Sequence, residues 1–423
     1  MSKFEQAALS SLACKNGARI LPVIEDMKRM GDAVLVVNLA CDDDYAQINK
    51  YIAAQYSGII ADGINSLAEA GGCREAIIYG GEIDTGKIAG AVGNQTGIPI
   101  KVLSGPASSV LRDETALFSV IDSGVIRVNR AEQEYYGSFP SYGYRGRPTL
   151  VVDGETAYQA GRLFNDPDTP LTKIVSVISG GAELKTEIKE VLTGCVAAEL
   201  LKGYVVNSPV LVGGVCGSFV NAETLNNTRI AFRYEYDSIR IFNDGDCVIN
   251  ELAGLYQKIQ ELSCAKCVLC REGSWQLSAI FADITAGRSN RDDIALIEDI
   301  CPIINAGALC SFGKGMVMPA LTAAIECREE LEKHVIGRTC PAGRCHGLIK
   351  YIVDPSLCIG CGDCVDECPE EAIEGRDGFI HIIDEKLCEK CGKCVSTCTV
   401  QAIKTDAGVI RTPRKPVRVG RFI

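Results

Sequence analysis

Seventeen of the chain's 22 cysteines lie between Cys247 and Cys398, many of them two residues apart. The 246 residues before them hold only Cys14, Cys41, Cys73, Cys195 and Cys216, each isolated. Such crowding means disulfides, metal or nucleophilic chemistry. A chain of 423 residues has room for two to four domains with proper cores, so disulfides are not needed to replace a missing interior. The opening MSKFEQAALSSLACKNGARI has no apolar signal core, and no run of about 18 apolar residues follows. The expectation is a cytoplasmic chain with no membrane span, in which thiols stay reduced and serve metals or catalysis. A formal net charge of -11, with no basic patch on the body, argues against nucleic acid as a partner. With three histidines, no Ser-His-Asp or Cys-His arrangement is legible, and no catalytic residue is assigned. His381 in FIHII reads as structural, and Trp275 as core.

The strongest pattern is an internal repeat of about 30 residues over 350–407. Cys358, Cys361 and Cys364 are followed by Cys368 and Pro369; Cys388, Cys391 and Cys394 are followed by Cys398 and Thr399. This resembles the bacterial two-cluster ferredoxin, in which the fourth Cys of each run ligates the other cluster. One [4Fe-4S] set is then Cys358, Cys361, Cys364 and Cys398, and the second is Cys368, Cys388, Cys391 and Cys394. Soft thiolates suit iron–sulfur chemistry, and short spacing leaves backbone N–H groups facing the sulfurs. A zinc ribbon would not require the same run twice with the same flanks. Upstream, Cys264, Cys267 and Cys270 form a third run whose fourth ligand is distant. Cys310 in ALCSFG leads; Cys301, beside Pro302, Ile300, Ile303 and Ile304, competes but reads as a buried helix residue.

The first half reads as α/β. AVLVVNL (33–39), EAIIYG (75–80) and IPIKVL (98–103) have the look of buried parallel strands, with helical spacing over 49–70. A second unit starts at TPLTKIVSVISG (169–180) and continues through PVLVGGVCGSFV (209–220). Residues 247–335 read as helical, interrupted at Pro302 and Gly307 so that Cys310 falls on a turn. The stretch RTPRKPVRVGRFI carries five Lys/Arg and no acid, and reads as an extended surface tail or an arm that docks on a partner.

SCAKCVLCREGSWQ followed by ALCSFG resembles the cluster domain of the FMN- and NADH-binding subunit of respiratory complex I. The appended ferredoxin is similar to that of the β subunits of electron-bifurcating hydrogenases. VLVVNLACDDD, SSVLRDETALFSVI and RGRPTLVVDGETAY extend the likeness over about 33–407. The resemblance implies Cys310 as the third cluster's fourth ligand. It implies an α/β domain over 1–165, a small α/β (ubiquitin-like, β-grasp-like) domain over 166–245 and a helical-bundle [4Fe-4S] domain over 246–338. A two-cluster ferredoxin domain follows over 339–410, then a basic extended tail over 411–423.

The departures from that family concern the flavin. Its Gly-rich phosphate loop has no counterpart: the 32 residues before the first strand contain just Gly17 and Gly31. The Asn pair expected to contact the flavin is Asp153 and Gly154. FMN is therefore expected to be absent, and Asn38, Glu114, Thr115, Glu155 and Thr156 are the contacts if it is retained. Cys247, Cys340 and Cys345 match cysteines of the hydrogenase subunits that hold a structural zinc, with Cys327 expected as fourth ligand and His334 or His346 as alternates. The implied function is an iron–sulfur subunit of a multi-subunit oxidoreductase. It would relay single electrons through three [4Fe-4S] clusters between a catalytic partner and ferredoxin or another redox module. The flavin or metal centre, and any [2Fe-2S] thioredoxin-like module, would lie on other chains. The alternative functions are an FMN-dependent NAD(P)H dehydrogenase subunit and a purely structural one.

Overall fold

A computed structural model of the chain describes residues 3–95, 98–129, 143–180, 184–206, 209–243, 245–405 and 410–422. The chain forms two compact units. One comprises Met1–Asn243, Gly254–Ser278 and Ala295–Arg328; the other comprises Asp244–Ala253, Ala279–Ile294 and Glu329–Ile423. The helical stretch expected as one domain is thus shared between them. No described helix is long and apolar enough to cross a membrane.

In the first unit, β1 (Ala33–Asn38), β2 (Cys73–Gly81), β3 (Ile100–Ser104) and β4 (Thr149–Asp153) form a parallel sheet in the order β3-β2-β1-β4. β1 is buried along its whole length, as a strand covered on both faces must be. The helical spacing over 49–70 is realised as two helices, Ile48–Gln55 and Ser57–Gly71, broken at Tyr56. Tyr56 leaves the helical region and places its ring 4.9 Å from that of Tyr158. Helix Ser57–Gly71 then crosses helix Gly154–Asn165 with no room for a side chain between them. A Cβ on Gly63 would lie 1.9 Å from the Ala157 carbonyl oxygen, and one on Gly161 2.0 Å from that of Ile59.

The same unit carries a mixed five-stranded sheet made of β5 (Thr172–Ser179), β6 (Lys185–Leu192), β7 (Val210–Val212), β8 (Ser218–Val220) and β9 (Ser238–Arg240). Its order is β6-β5-β9-β7-β8, with β5 and β9 parallel and the other neighbours antiparallel. Val175, Val177, Leu200, Val210 and Ile239 fill its core. Helix Asp293–Gly307 runs straight through Pro302 instead of stopping there. Pro302 faces solvent, so water can satisfy the Glu298 carbonyl that the missing N–H leaves behind. Trp275 is 63% exposed, not core: on helix Val268–Thr285 the buried face is Cys270, Ser274, Leu277, Phe281 and Ile284, and position 275 points away from it.

The second unit contains the cysteine repeat, and its backbone repeats with the sequence. β10 (Tyr351–Val353) pairs with β13 (Ile403–Thr405), and β11 (Ile373–Glu374) with β12 (Ile382–Ile383). The Cys358 N–H donates to the Asp354 carbonyl and the Cys388 N–H to that of Asp384, each at 3.0 Å. Short helices Asp363–Asp366 and Lys393–Thr397 each follow a glycine at positive φ, Gly362 and Gly392. Lys390 takes the same left-handed turn (φ 60°) that Gly360 takes in the first copy (φ 73°).

Replacing Gly161 with Ala should cost about 1–3 kcal/mol by forcing the two helices apart. Gly254→Ala, in a helix with open space around the position, should be neutral or stabilising. Thermal unfolding of the two variants beside the parent protein checks this; a Gly161→Ala variant as stable as the parent would contradict the crossing.

Candidate metal and electron-transfer sites

The third cysteine run sits where one helix begins. Cys264 and Cys267 lie in the turn before helix Val268–Thr285, with Ala265 at φ 52°, and Cys270 is in its first turn. Cys310 caps the short helix Ser311–Gly315, its sulfur accepting the Gly313 N–H at 3.4 Å. A Cβ on Gly313 would touch the Cys270 sulfur at 3.5 Å, so the glycine keeps the two thiols' approach clear. Burial pushes the Cys270 thiol up to about 12, and the neighbouring Cys267, Cys310 and Cys264 add to it. Burial likewise lifts Cys310 to about 11, with Asp113, Cys264 and Cys267 adding to it. Cys264, Cys267 and Cys310 are thus all within electrostatic reach of Cys270. Cys301 is buried in helix Asp293–Gly307, where burial takes it to about 12 with no other cysteine contributing.

In the ferredoxin-like repeat, the electrostatic neighbours of the two inner thiols come from both runs. Burial raises Cys364 to about 12, and the sulfurs acting on it are Cys358, Cys361 and Cys398. Burial raises Cys394 to about 11, and its neighbours are Cys388, Cys368 and Cys391. The distant member of each set receives a backbone donor: Ala372 N–H to Cys368 at 3.3 Å and Ala402 N–H to Cys398 at 3.2 Å. Pro369 and Thr399 take no part in this. His381 is buried, with Nδ1 3.8 Å from the Cys358 sulfur, and burial lowers its pKa. Its spacing from the cysteines gives no hint of this; only the fold of the two-stranded sheet brings it there.

A fourth group contains Cys247, His334, Cys340 and Cys345, whose ligand atoms all lie within 4.8 Å of one another. The Cys247 sulfur is 3.2 Å from His334 Nε2 and 3.6 Å from the Cys345 sulfur. His334 Nδ1 is 2.8 Å from the Glu330 carbonyl oxygen, which fixes the tautomer and leaves Nε2 as the ligand atom. Backbone N–H groups of Arg344 (3.3 Å) and Cys345 (3.5 Å) point at the Cys340 sulfur. Donation from Cys247 and Cys345 holds Cys340 below the usual thiol range, while Cys247 is raised by the same contact. Here the expected fourth ligand is corrected. Cys327 ends helix Met318–Glu326 and is outside the group, whereas His334, one helix later, points its ring into it. His346 is not in the group either. A tetrahedral zinc with Zn–S of about 2.3 Å holds its sulfurs about 3.8 Å apart; the Cys247 and Cys345 sulfurs are 3.6 Å apart, and all four ligand atoms lie within 4.8 Å of one another. A four-iron cube would hold its sulfurs much further apart.

Of the residues expected to touch a flavin, Asn38, Thr115, Glu155 and Thr156 bond to the chain itself. Asn38 donates to the Leu111 carbonyl at 2.8 Å and accepts from Ala40 N–H at 3.1 Å. Thr115 and Thr156 bond the helix caps Asp113 and Asp153. Burial raises Glu114 to about 7. Glu155 is fully buried, accepts from Ile174 N–H at 2.6 Å and meets the ammonium groups of Lys15 and Lys173, each at 2.8 Å. Lys15 also reaches Asp153 at 3.0 Å and Asp237 at 2.9 Å. Burial would pull the Lys15 ammonium down, but Asp153, Asp237 and Glu155 together hold it well above the usual lysine value. Lys15 is aimed inward by a turn in which Gly17 (φ 88°) donates to the Cys14 carbonyl. No motif marks Lys15 in the sequence; the one signal beside it is the turn-forming Asn16-Gly17 pair. Beside this network, at the ends of β1 and β2, an open cleft of about 750 Å³ is bordered by Asp42, Asp44, Glu82, Asp84 and Glu261 against Lys50, Lys87 and Lys258. That excess of carboxylates does not suit a phosphate, and no glycine-rich run of N–H groups cradles one. The residues present do not fit FMN.

Family matches cover the three cysteine runs. Residues 251–334 match the NADH-ubiquinone oxidoreductase-F iron-sulfur binding region, and residues 351–374 and 381–404 each match the 4Fe-4S binding domain. The chain is 28% identical over 310 residues to the NADP-reducing hydrogenase subunit HndC of Solidesulfovibrio fructosivorans, covering 65% of this chain and 60% of that one. It is 33% identical over 104 residues to the F-type subunit of the NADH-quinone oxidoreductase of Streptomyces coelicolor, covering 25% of this chain and 23% of that one. An NAD+-reducing [NiFe]-hydrogenase in the H2-reduced state shares the fold with a TM-score of 0.67 at 19% identity, over 78% of this chain and 62% of that chain. The chain thus spans about three-fifths of the hydrogenase subunit it matches.

Because Lys15 contacts three buried carboxylates and only Lys173 and Arg112 share in offsetting them, Lys15→Met should destabilise the protein by about 3–5 kcal/mol. Chemical denaturation of holoprotein measures it, and a loss below about 1 kcal/mol would show that the carboxylates are otherwise satisfied.

Proposed function

We propose that this relative of the F-type subunits of NADH-quinone oxidoreductase and of hydrogenase subunits is an electron-transfer subunit with three [4Fe-4S] clusters. The reading is supported by the three cysteine runs and by the buried thiols of Cys270, Cys310, Cys364 and Cys394, whose electrostatic neighbours are cysteines of the expected sets. Each set contains buried thiols lifted to about 11 or 12 by burial and by the other sulfurs. Thiols so placed stay protonated at neutral pH unless a cation takes the proton's place, which iron in a cluster does. Bound there, a [4Fe-4S] cluster supplies one-electron storage and transfer. The chain's own part is to hold the sulfurs, exclude water from the inner ones and direct N–H donors at Cys310, Cys368 and Cys398.

Hydride chemistry belongs to a partner chain in this reading. The internally bonded Asn38, Glu155 and Thr156, with Lys15 among the carboxylates, support the absence of FMN and of a hydride-transfer site. The catalytic flavin or metal centre then lies on another subunit, with a [2Fe-2S] thioredoxin-like subunit and a ferredoxin as further redox partners. The Cys247, His334, Cys340 and Cys345 group is a structural zinc site: its four protein ligands leave no open coordination position.

Freshly purified protein should contain iron near 12 atoms per chain, from three four-iron clusters, and no flavin on acid extraction. One FMN per chain, bleached by NADH, would replace this reading with a flavin-dependent dehydrogenase. Iron near eight would remove one cluster. Zinc should be present at about one atom per chain. His334→Ala should lose it without losing iron, and Cys327→Ser should keep both; zinc retained in His334→Ala or lost in Cys327→Ser would refute the ligand set.

A further inference from the structure

Residues 410–422 are not a loose tail. The Ile380 N–H donates to the Val417 carbonyl at 2.8 Å, and the Val419 N–H to the Gly378 carbonyl at 3.0 Å, with an antiparallel bridge between Phe379 and Arg418. Phe422 packs on the core that contains Cys358, Cys364 and Cys398, and Pro413 is buried. The segment is therefore a strap on the cluster-binding repeat. The turn it bonds is itself tied to the first cysteine run, since the Gly378 N–H donates to the Gly360 carbonyl at 2.9 Å. Gly360 lies between Cys358 and Cys361, and Cys361 is an exposed sulfur.

The strap turns its charge outward. Arg411, Arg414, Lys415, Arg418 and Arg421 are all exposed. Among the described residues none of the five is in an ion pair, although the repeat itself carries many carboxylates. The Arg376 and Arg418 guanidinium groups lie 4.1 and 6.0 Å from the centre of the Phe379 ring, and Ile359, close to Cys361 in the same run, is 56% exposed. A cationic rim with an apolar patch thus borders the surface sulfur of the Cys358, Cys361, Cys364 and Cys398 set. The whole chain is at -11, so an acidic protein is repelled at long range everywhere except where the local sign is reversed. Charge of this kind sets encounter rate and orientation more than affinity.

We propose that the strap is the docking face for an acidic one-electron carrier protein, which meets the chain at the Cys358, Cys361, Cys364 and Cys398 cluster. The inference rests on the electron-relay reading and adds to it where and by what charge the carrier binds. One electron passes between the carrier's centre and this cluster, one oxidised as the other is reduced, with no bond made or broken.

The test uses the full holoprotein and an acidic two-cluster ferredoxin as the probe, with stopped-flow measurement of cluster reduction. Reduced methyl viologen, a small cation, serves as the reference donor. The variant R411Q/R414Q/K415Q/R421Q keeps every backbone bond of the strap and the Arg418 ring contact. Its rate with the ferredoxin should fall about tenfold or more at low ionic strength, and the fall should vanish at high salt. Its rate with methyl viologen and its iron content should equal the parent's. Charge reversal to Glu at the same four positions should deepen the loss. Equal ferredoxin rates and equal salt dependence in parent and variants would overturn the docking proposal and leave the relay reading standing. So would a variant that loses only its binding to phosphatidylserine vesicles, which would make the strap a membrane contact. Clusters in the parent that neither donor reduces would overturn the relay reading and the docking proposal together.

Discussion

Burying several thiolates against one another is unfavourable unless a cation offsets their charge, and the arrangement of this chain follows from that constraint. Each inner sulfur is raised by desolvation first and by its fellow sulfurs after that. The polypeptide answers with donors that need no side chain: the N–H groups of Gly313, Ala372 and Ala402 point at sulfur. Such donors are available only where the backbone turns tightly, which explains the left-handed residues around the runs. Ala265, Gly360, Gly362, Lys390 and Gly392 all have positive φ, and two of them bear side chains despite the cost. The metal sites and the local fold are thus one solution to the same electrostatic problem.

The Cys247, His334, Cys340 and Cys345 group solves a smaller version of it. Two of its members come from Cys340 and Cys345, on the turn that leads into the ferredoxin-like repeat. The other two come from Cys247, which precedes one helix, and from His334, in the last turn of another. An ion there would tie three stretches that are far apart in sequence within one compact unit. The imidazole is held by its Nδ1 against a carbonyl of its own helix, so it is already turned the right way before a metal binds.

What can be read from the sequence divides by distance along the chain. The cysteine runs are legible because three of the four expected ligands of each set lie on one short loop, whereas the fourth is distant and spacing does not assign it. The parallel strands are legible because sheets covered on both faces demand apolar runs such as AVLVVN. His334 ranks behind Cys327 on spacing because helix phase, not spacing, decides which of two nearby residues faces a site. The path of helix Asp293–Gly307 through Pro302 is hidden because a proline is tolerated where its unpaired carbonyl reaches water, and exposure is a tertiary property. Trp275 misleads for the opposite reason: a large aromatic suggests core, but one helical position off the buried stripe places it in solvent.

The buried charges around Lys15 are the least legible feature and bear most on what the chain can do. Asp153, Glu155 and Asp237 arrive from a strand end, a helix start and a turn, so no motif announces them. Three carboxylates within reach of one point are strongly unfavourable away from water, and the site is tolerable only because Lys15 and Lys173 both enter it. One short Asn-Gly turn thus aims the ammonium on which this interior depends.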